Sequence, residues 1–474
     1  MGATSEPNDG LGLGEAIRIG ATTAVAAMEA ALERARASAA LGAIRHLAPD
    51  LGLERAVLAD AALKREPIDP AVRPFLGAPF LMKDLGSTAK GLPLVCGSRS
   101  IPPAPVTEDS ELASRFWAAG LVPFGVTTSP EFGLALSSEP AIGPIARNPL
   151  DPRLTPGGSS GGAAAAVADG IVAIAHATDA GGSTRVPAAC CGLVGLKPTR
   201  GAIPGGPAFD NHISGLAAEL IVSRSLRDTA AALDLCAGRG RGPYPDPDLG
   251  RVLASLDEAL DGLAIGVCDG ARSGFAAANS GAVRHASGVL RRAGHSIVEI
   301  DPGRLETLAE RSALVFDRVI SVNLARSLDD LSSVERLSAA VARRGREISA
   351  RELQGAEMVG VGVAHAIWQL FEEIDVLVTP MLSGPPLPIG SFPFDHDDVE
   401  LHWKRMANFA PFAMIANVAG TPALSVPHGK AEGLPLSVQL VGPMGSDGLL
   451  LRVARQLQQA APWSFDAAIA GWPG

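Results

Sequence analysis

Lysine is scarce in this chain of 474 residues. Only Lys64, Lys83, Lys90, Lys197, Lys404 and Lys430 stand among 40 basic residues; the rest are arginine. Arginine keeps its proton near neutral pH, whereas a buried lysine can lose it. A lysine set among apolar residues therefore stands out. Cysteine is scarce as well. Cys96, Cys190, Cys191, Cys236 and Cys268 form no CxxC pair, and their odd number excludes a disulfide scaffold. Positive charge is in deficit: a net charge of −10 argues against the basic face that binds nucleic acid. Long apolar runs are missing too. The longest candidate, 163–177, is broken by Asp169, Gly170 and His176, which excludes a membrane span. Met1–Gly10 has neither the charged start nor the apolar run of a signal peptide, so reduced thiols and a cytoplasmic location are expected. No Walker A loop occurs, and ATP-driven chemistry has no support.

What is present is a pattern of strands alternating with helices. Residues 15–40 place Val25, Met28 and Leu32 on one face of an expected N-terminal helix. A short buried strand is predicted over 79–82, with Lys83 at its end. A helix is predicted over 109–119 and a strand over 121–126. A strand–helix–strand unit follows at 263–267, 281–293 and 296–300. A helical stretch spans about 304–373, a strand 374–379, and a loop 383–398. Strands at 423–426 and 436–441 and a helix at 448–459 complete the chain. The alternation predicts an α/β layered fold in one large domain.

Two segments carry candidate chemistry. Thr155-Pro-Gly-Gly-Ser-Ser-Gly-Gly162 runs into an alanine-rich helix, and Thr178-Asp-Ala-Gly-Gly-Ser-Thr-Arg185 runs into an apolar stretch. A flexible linker would not continue directly into such segments. A glycine-rich turn before Ser183 can aim several backbone N–H groups at one point, as an oxyanion requires. A serine hydroxyl is a weak nucleophile and needs a base. Histidine is the usual one, and His176 is the nearest in sequence. A desolvated lysine is the other, and Lys83, following Phe80-Leu81-Met82, is the candidate.

Residues 155–205, with Gly157–Gly162, Asp179, Gly181-Gly182-Ser183, Arg185 and Gly195-Leu-Lys-Pro-Thr199, resemble the amidase signature family of serine hydrolases. Lys83-Asp84 upstream and Gln439–Gly442 downstream fit the same pattern. The resemblance implies a large mixed β-sheet covered on both faces by helices. It implies a single amidase domain: a helical region over 1–70, the signature core over 71–205, a substrate-shaping region over 206–415, and C-terminal strands and helix over 416–474. It implies a Ser–Ser–Lys triad, with Ser183 the acylated nucleophile, Ser159 the bridging serine after a cis peptide, and Lys83 the base. The N–H groups of Ala180, Gly181, Gly182 and Ser183 would form the oxyanion hole. Ser160 is expected to hold its loop by hydrogen bonding, and Asp179 and Arg185 to pair and brace the nucleophile. No metal or organic cofactor is implied, and the chain is expected as a monomer or homodimer.

The activity implied is hydrolysis of a small-molecule amide through an acyl-enzyme. Phe209, Ile213, Phe316, Trp368, Phe392, Trp403, Phe409 and Phe412 lie in the substrate-shaping region, which has few lysines. They point to neutral apolar or aryl amides, with carbamates (urethanes) and esters as further candidates. The alternative is the glutaminase-type subunit of a tRNA-dependent amidotransferase. Lys83-Asp-Leu-Gly86 and Ser129-Pro-Glu-Phe-Gly133 depart from that branch. Gly157–Gly161 also fits the GxSxG elbow, but Thr155-Pro156 precede it in place of a strand. Ser87–Lys90 fits SxxK without its companion motifs. Asp395-His-Asp-Asp398 reads as a solvated loop rather than a cation site.

Overall fold

Short apolar segments form the centre of the protein. The computed structural model describes residues 8–205, 210–240, 242–270 and 274–473. Residues 1–7, which begin the segment weighed above as a signal peptide, and Phe209 lie outside the described residues. Eleven strands make one mixed sheet among the described residues: β1 (Ile44–Leu47), β2 (Pro79–Lys83), β3 (Val122–Thr127), β4 (Ile174–Asp179), β5 (Val194–Lys197), β6 (Ala218–Ser223), β7 (Ala264–Val267), β8 (Ser296–Glu299), β9 (Val376–Pro380), β10 (Ala423–Ala431) and β11 (Leu434–Val441). Their order is β1-β3-β2-β4-β6-β5-β10-β11-β9-β7-β8.

Side chains of a strand alternate between faces, so a strand buried at every residue is covered on both. That holds for β2, β3, β4, β5, β6 and β9. Helices supply the cover. The helix Gly161–Asp169 is buried from Gly161 to Val167, and its small residues let it lie close to the sheet. β2 runs parallel to β3 and to β4, so these strands finish at the same sheet edge. Lys83 ends β2 and Asp179 ends β4. The carboxyl ends of neighbouring parallel strands are where α/β folds build their sites.

The expected helix over 15–40 is two helices, Gly10–Arg18 and Ala24–Ala37. Thr23 is the reason. Its side chain accepts from the Ala26 N–H at 3.0 Å, and Asp60 accepts from the N–H groups of Ala24 and Val25. The free donors that open a helix are thus satisfied in mid-segment. The helical stretch after 304 is three helices, Pro302–Ser327, Arg336–Glu347 and Ala350–Phe371. Residues 383–398 form no helix or strand, as expected. Asp397 pairs with Arg336 and Arg343, and Asp398 caps the helix Val399–Phe409. Among the described residues no group of three or more His, Cys, Asp or Glu is placed to hold a metal, and no helix is long and apolar enough to cross a membrane.

Candidate active site

Lys83 is 1% exposed and its chain lies along the apolar sheet. Its Nζ is 2.8 Å from Ser159 Oγ and 2.6 Å from Thr178 Oγ1. Burial disfavours the ammonium form and pushes the amine down to about 7, although Asp179, Glu219, Cys96 and Asp84 pull in the opposite direction. Among the six lysines only Lys197 is also buried and also pushed down to about 7 by burial. Lys197 donates to the carbonyl of Pro198 at 2.7 Å and lines no cavity beside a serine.

The glycine loop brings Ser159 to the lysine. The Gly158–Ser159 peptide is cis. A Cβ on Gly158 would stand 2.2 Å from the Ser137 carbonyl oxygen, so only glycine fits that approach. Ser160 joins the two serine segments: its N–H donates to the Ser183 carbonyl at 3.2 Å, and its Oγ accepts from the Thr178 N–H at 3.2 Å. Ser183 shares with Ser159 the lining of a narrow cavity of about 30 Å³.

Asp179 organises the loop that carries Ser183. Its carboxylate accepts from Arg185 Nε and Nη2, both at 2.9 Å, from the Gly182 N–H at 2.7 Å and from Asn417 Nδ2 at 3.0 Å. Both members of the ion pair are fully buried. Arg185 also donates to Gln439 at 2.6 Å and to Asn417 at 2.7 Å. These donors hold the Asp179 carboxyl well below the usual range despite burial. A bidentate, fully satisfied pair of this kind fixes geometry. Gly182, at φ +117°, donates its N–H to Asp179.

Behind the lysine lies a buried polar chain that sequence reasoning missed. His176 Nδ1 accepts from the Lys83 N–H at 3.3 Å, which leaves the ring proton on Nε2, 3.2 Å from Glu219 Oε1. His176 is therefore a satisfied histidine within β4. Glu219 on β6 also accepts from the N–H and hydroxyl of Ser87, at 2.8 and 2.7 Å, and its carboxyl is held well below the usual range. Thr178 belongs to the second glycine–serine segment, but its contact with the lysine is visible only in the fold. Lys83, Thr178 and Glu219 come from β2, β4 and β6, which are neighbours in the sheet.

The cavity wall is apolar: Leu85, Phe132, Leu134, Ile213, Phe316, Ile320 and Met406 surround the two serines, with no charged side chain in the lining among the described residues. Of the residues expected to shape the pocket, Ile213 and Phe316 line it. Phe392, Phe409 and Phe412 are core residues, Trp403 donates its indole N–H to Asp317, and Trp368 faces solvent. Aromatic identity alone does not distinguish a core position from a cavity wall. The cavity adjoins a larger recess of about 490 Å³, where Asn323, Arg326, Asp329 and Asp330 introduce polar groups.

A family model described as Amidase matches residues 26–451. The chain belongs to the amidase signature family. Amidase signature enzymes hydrolyse C–N bonds, and this chain is a hydrolase of that class. It is similar to the 6-aminohexanoate-cyclic-dimer hydrolase of Paenarthrobacter ureafaciens, 32% identical over 420 residues, or 82% of this chain and 84% of that one. It is also similar to a glutamyl-tRNA(Gln) amidotransferase subunit of Synechococcus sp. (strain RCC307), 32% identical over 483 residues, or 94% and 96% of the two chains. A solved structure of 6-aminohexanoate cyclic dimer hydrolase matches with a TM-score of 0.87 at 27% identity, covering 96% of this chain and 97% of that one.

Proposed function

We propose that this amidase cleaves neutral, largely apolar amides through an acyl-enzyme on Ser183. The observation that carries the reading is a lysine pushed down to about 7, 2.8 Å from Ser159, beside a cavity that Ser183 also lines and whose described wall is apolar. In this mechanism neutral Lys83 takes the proton of Ser159 as Ser159 takes that of Ser183. Ser183 Oγ attacks the carbonyl carbon, and the developing oxyanion is met by the N–H groups of Ala180, Gly181 and Ser183. Ser159 then gives its proton to the leaving nitrogen and takes one back from the Lys83 ammonium, which leaves Lys83 neutral again. Water repeats the sequence on the ester and releases the acid. Thr178 holds Nζ in line by its 2.6 Å contact.

The apolar wall disfavours substrates charged near the scissile bond, because a buried unpaired charge is costly. Glutamine carries an ammonium and a carboxylate, and among the described residues the inner cavity has no counter-charge for either. This weighs against the glutaminase reading. Aryl amides and cyclic or linear aliphatic amides suit the wall, and carbamates and esters present the same carbonyl to the same donors. A hydrolysis panel of glutamine, short aliphatic amides, aryl amides, lactams and aryl carbamates tests the proposal. Turnover of apolar members is expected to exceed that of glutamine by at least about a hundredfold in kcat/KM. Glutamine as the preferred member would overturn it.

Glu219 gives a second test. Its negative charge favours the Lys83 ammonium, as do Asp179, Asp84 and Cys96. Glu219→Gln removes that support, so Lys83 loses its proton more readily. The acid limb of kcat/KM, which for this base falls near pH 7, is expected to move to lower pH by on the order of half a pH unit. An unmoved limb with a lowered Tm would leave Glu219 a purely structural role.

A further inference from the structure

The helix Ala350–Phe371 has a buried apolar face and an exposed stripe that also carries large apolar residues. Ala356, Val363, Ile367 and Leu370 form the buried face. The stripe reads Gln354, Met358, Val361, His365, Trp368 and, just past the helix end, Glu372, all exposed. The spacing is four, three, four, three, four. That is the heptad alternation of a coiled-coil seam, turned toward solvent. Met358 is 65% exposed, Val361 61% and Trp368 44%, and Leu314 on the adjoining helix Pro302–Ser327 is 42% exposed. A surface helix ordinarily keeps its large apolar residues on the buried side alone. The helix is also held rigidly, with a full capping box between Ser349 and Glu352.

We propose that this seam joins two copies of the chain, the helices packing antiparallel about a twofold axis. Identical partners related by a twofold must present one surface to itself. Two orientations are open to a helix pair. A parallel pair would set His365 on His365, Glu372 on Glu372 and Arg351 on Arg351. An antiparallel pair centred at the height of Val363 sets Gln354 beside Glu372, Met358 beside Trp368 and Val361 beside His365. Arg351, one turn outside the seam at one end, comes to the Glu372 end of the other copy. The charges of the two ends are thus complementary only in the antiparallel pair. Thioether against indole is a favourable contact, and tryptophan and methionine are enriched in interfaces. The seam extends roughly 27 Å from Gln354 to Glu372 at 1.5 Å per residue.

The contact leaves the catalytic chemistry untouched. Met358, Val361, His365 and Trp368 lie outside the cavity lining. It rests on the exposed face alone, so it stands whether or not the proposed substrate class holds.

Sedimentation velocity of the full-length protein at micromolar to tens of micromolar concentration tests the proposal. The wild type is expected as a dimer. Val361→Arg is expected to be monomeric with unchanged kcat/KM on any amide the wild type cleaves. Arg351→Glu alone is expected to raise the dimer dissociation constant by at least about tenfold, and the double variant Arg351→Glu/Glu372→Arg to restore it. A wild type that stays monomeric overturns the proposal. So does a dimer that Val361→Arg leaves intact, or a charge reversal that the double variant does not rescue.

Discussion

Ser183→Ala is expected to lower kcat/KM by a factor on the order of 10³–10⁶, the range seen when a serine hydrolase loses its nucleophile. The loss follows from the absence of an oxygen that can carry the acyl group, not from disturbance of the fold. Ser183 exposes 6% of its surface, and its loop is held by Asp179, Arg185 and Asn417 rather than by its own hydroxyl. The Tm of the variant should stay close to that of the wild type. An aryl sulfonyl fluoride should add its mass to the wild type on the peptide that contains Ser183 and leave Ser183→Ala unmodified. A fully active Ser183→Ala enzyme would remove the acyl-enzyme mechanism altogether.

Lys83→Ala is expected to lose nearly all activity at neutral pH, by on the order of 10²–10⁴, with partial recovery as pH rises and hydroxide takes over proton removal. Lys83→Met keeps more of the side-chain volume and should show the same loss, which separates a missing base from a cavity in the core. The same residue also predicts a stability trend. Lys83 titrates near 7 in the folded protein and near 10.4 when unfolded. Between those values the unfolded chain binds the extra proton, so Lys83 makes stability rise with pH across that window. Below pH 7 the folded site must accept a buried charge. Both variants should flatten the Tm against pH profile between about pH 7 and 10. A slope equal to that of the wild type would place the proton on another group.

The parts of the site that can be read from sequence share one property: their residue types are demanded by local backbone chemistry. Gly158 and Gly182 are fixed by a close approach and a positive φ, and the two serines sit beside them. Lys83 stands out because a titratable amine ends an apolar strand. Asp179 and Arg185, six residues apart, meet within one loop. What sequence does not reveal depends on which strands become neighbours. Thr178 and His176 lie two apart on β4, and period-two alternation puts them on one face. That pattern is local, but its target, Lys83 on β2, is known only from the sheet order. Glu219 is a lone acid inside the apolar run 217–222; His212, seven residues earlier, reaches it, but Ser87 and His176 lie 132 and 43 residues away. The cavity wall is the least legible. Phe316 lines it and Phe392 does not, and nothing in their neighbourhoods separates them before the helices are packed. The split of 15–40 is local after all, since Thr23 has the side chain of a helix N-cap.

The Asp179–Arg185 pair has a consequence in time. Arg185 donates to Asn417 and Gln439, 232 and 254 residues later in the chain. A ribosome delivers residue 185 long before residue 439. Until Asn417 has emerged Asp179 lacks its amide and Arg185 one acceptor, and until Gln439 on β11 has emerged Arg185 lacks another. The loop that presents Ser183 thus gains its full bracing only from segments made more than 230 residues after it.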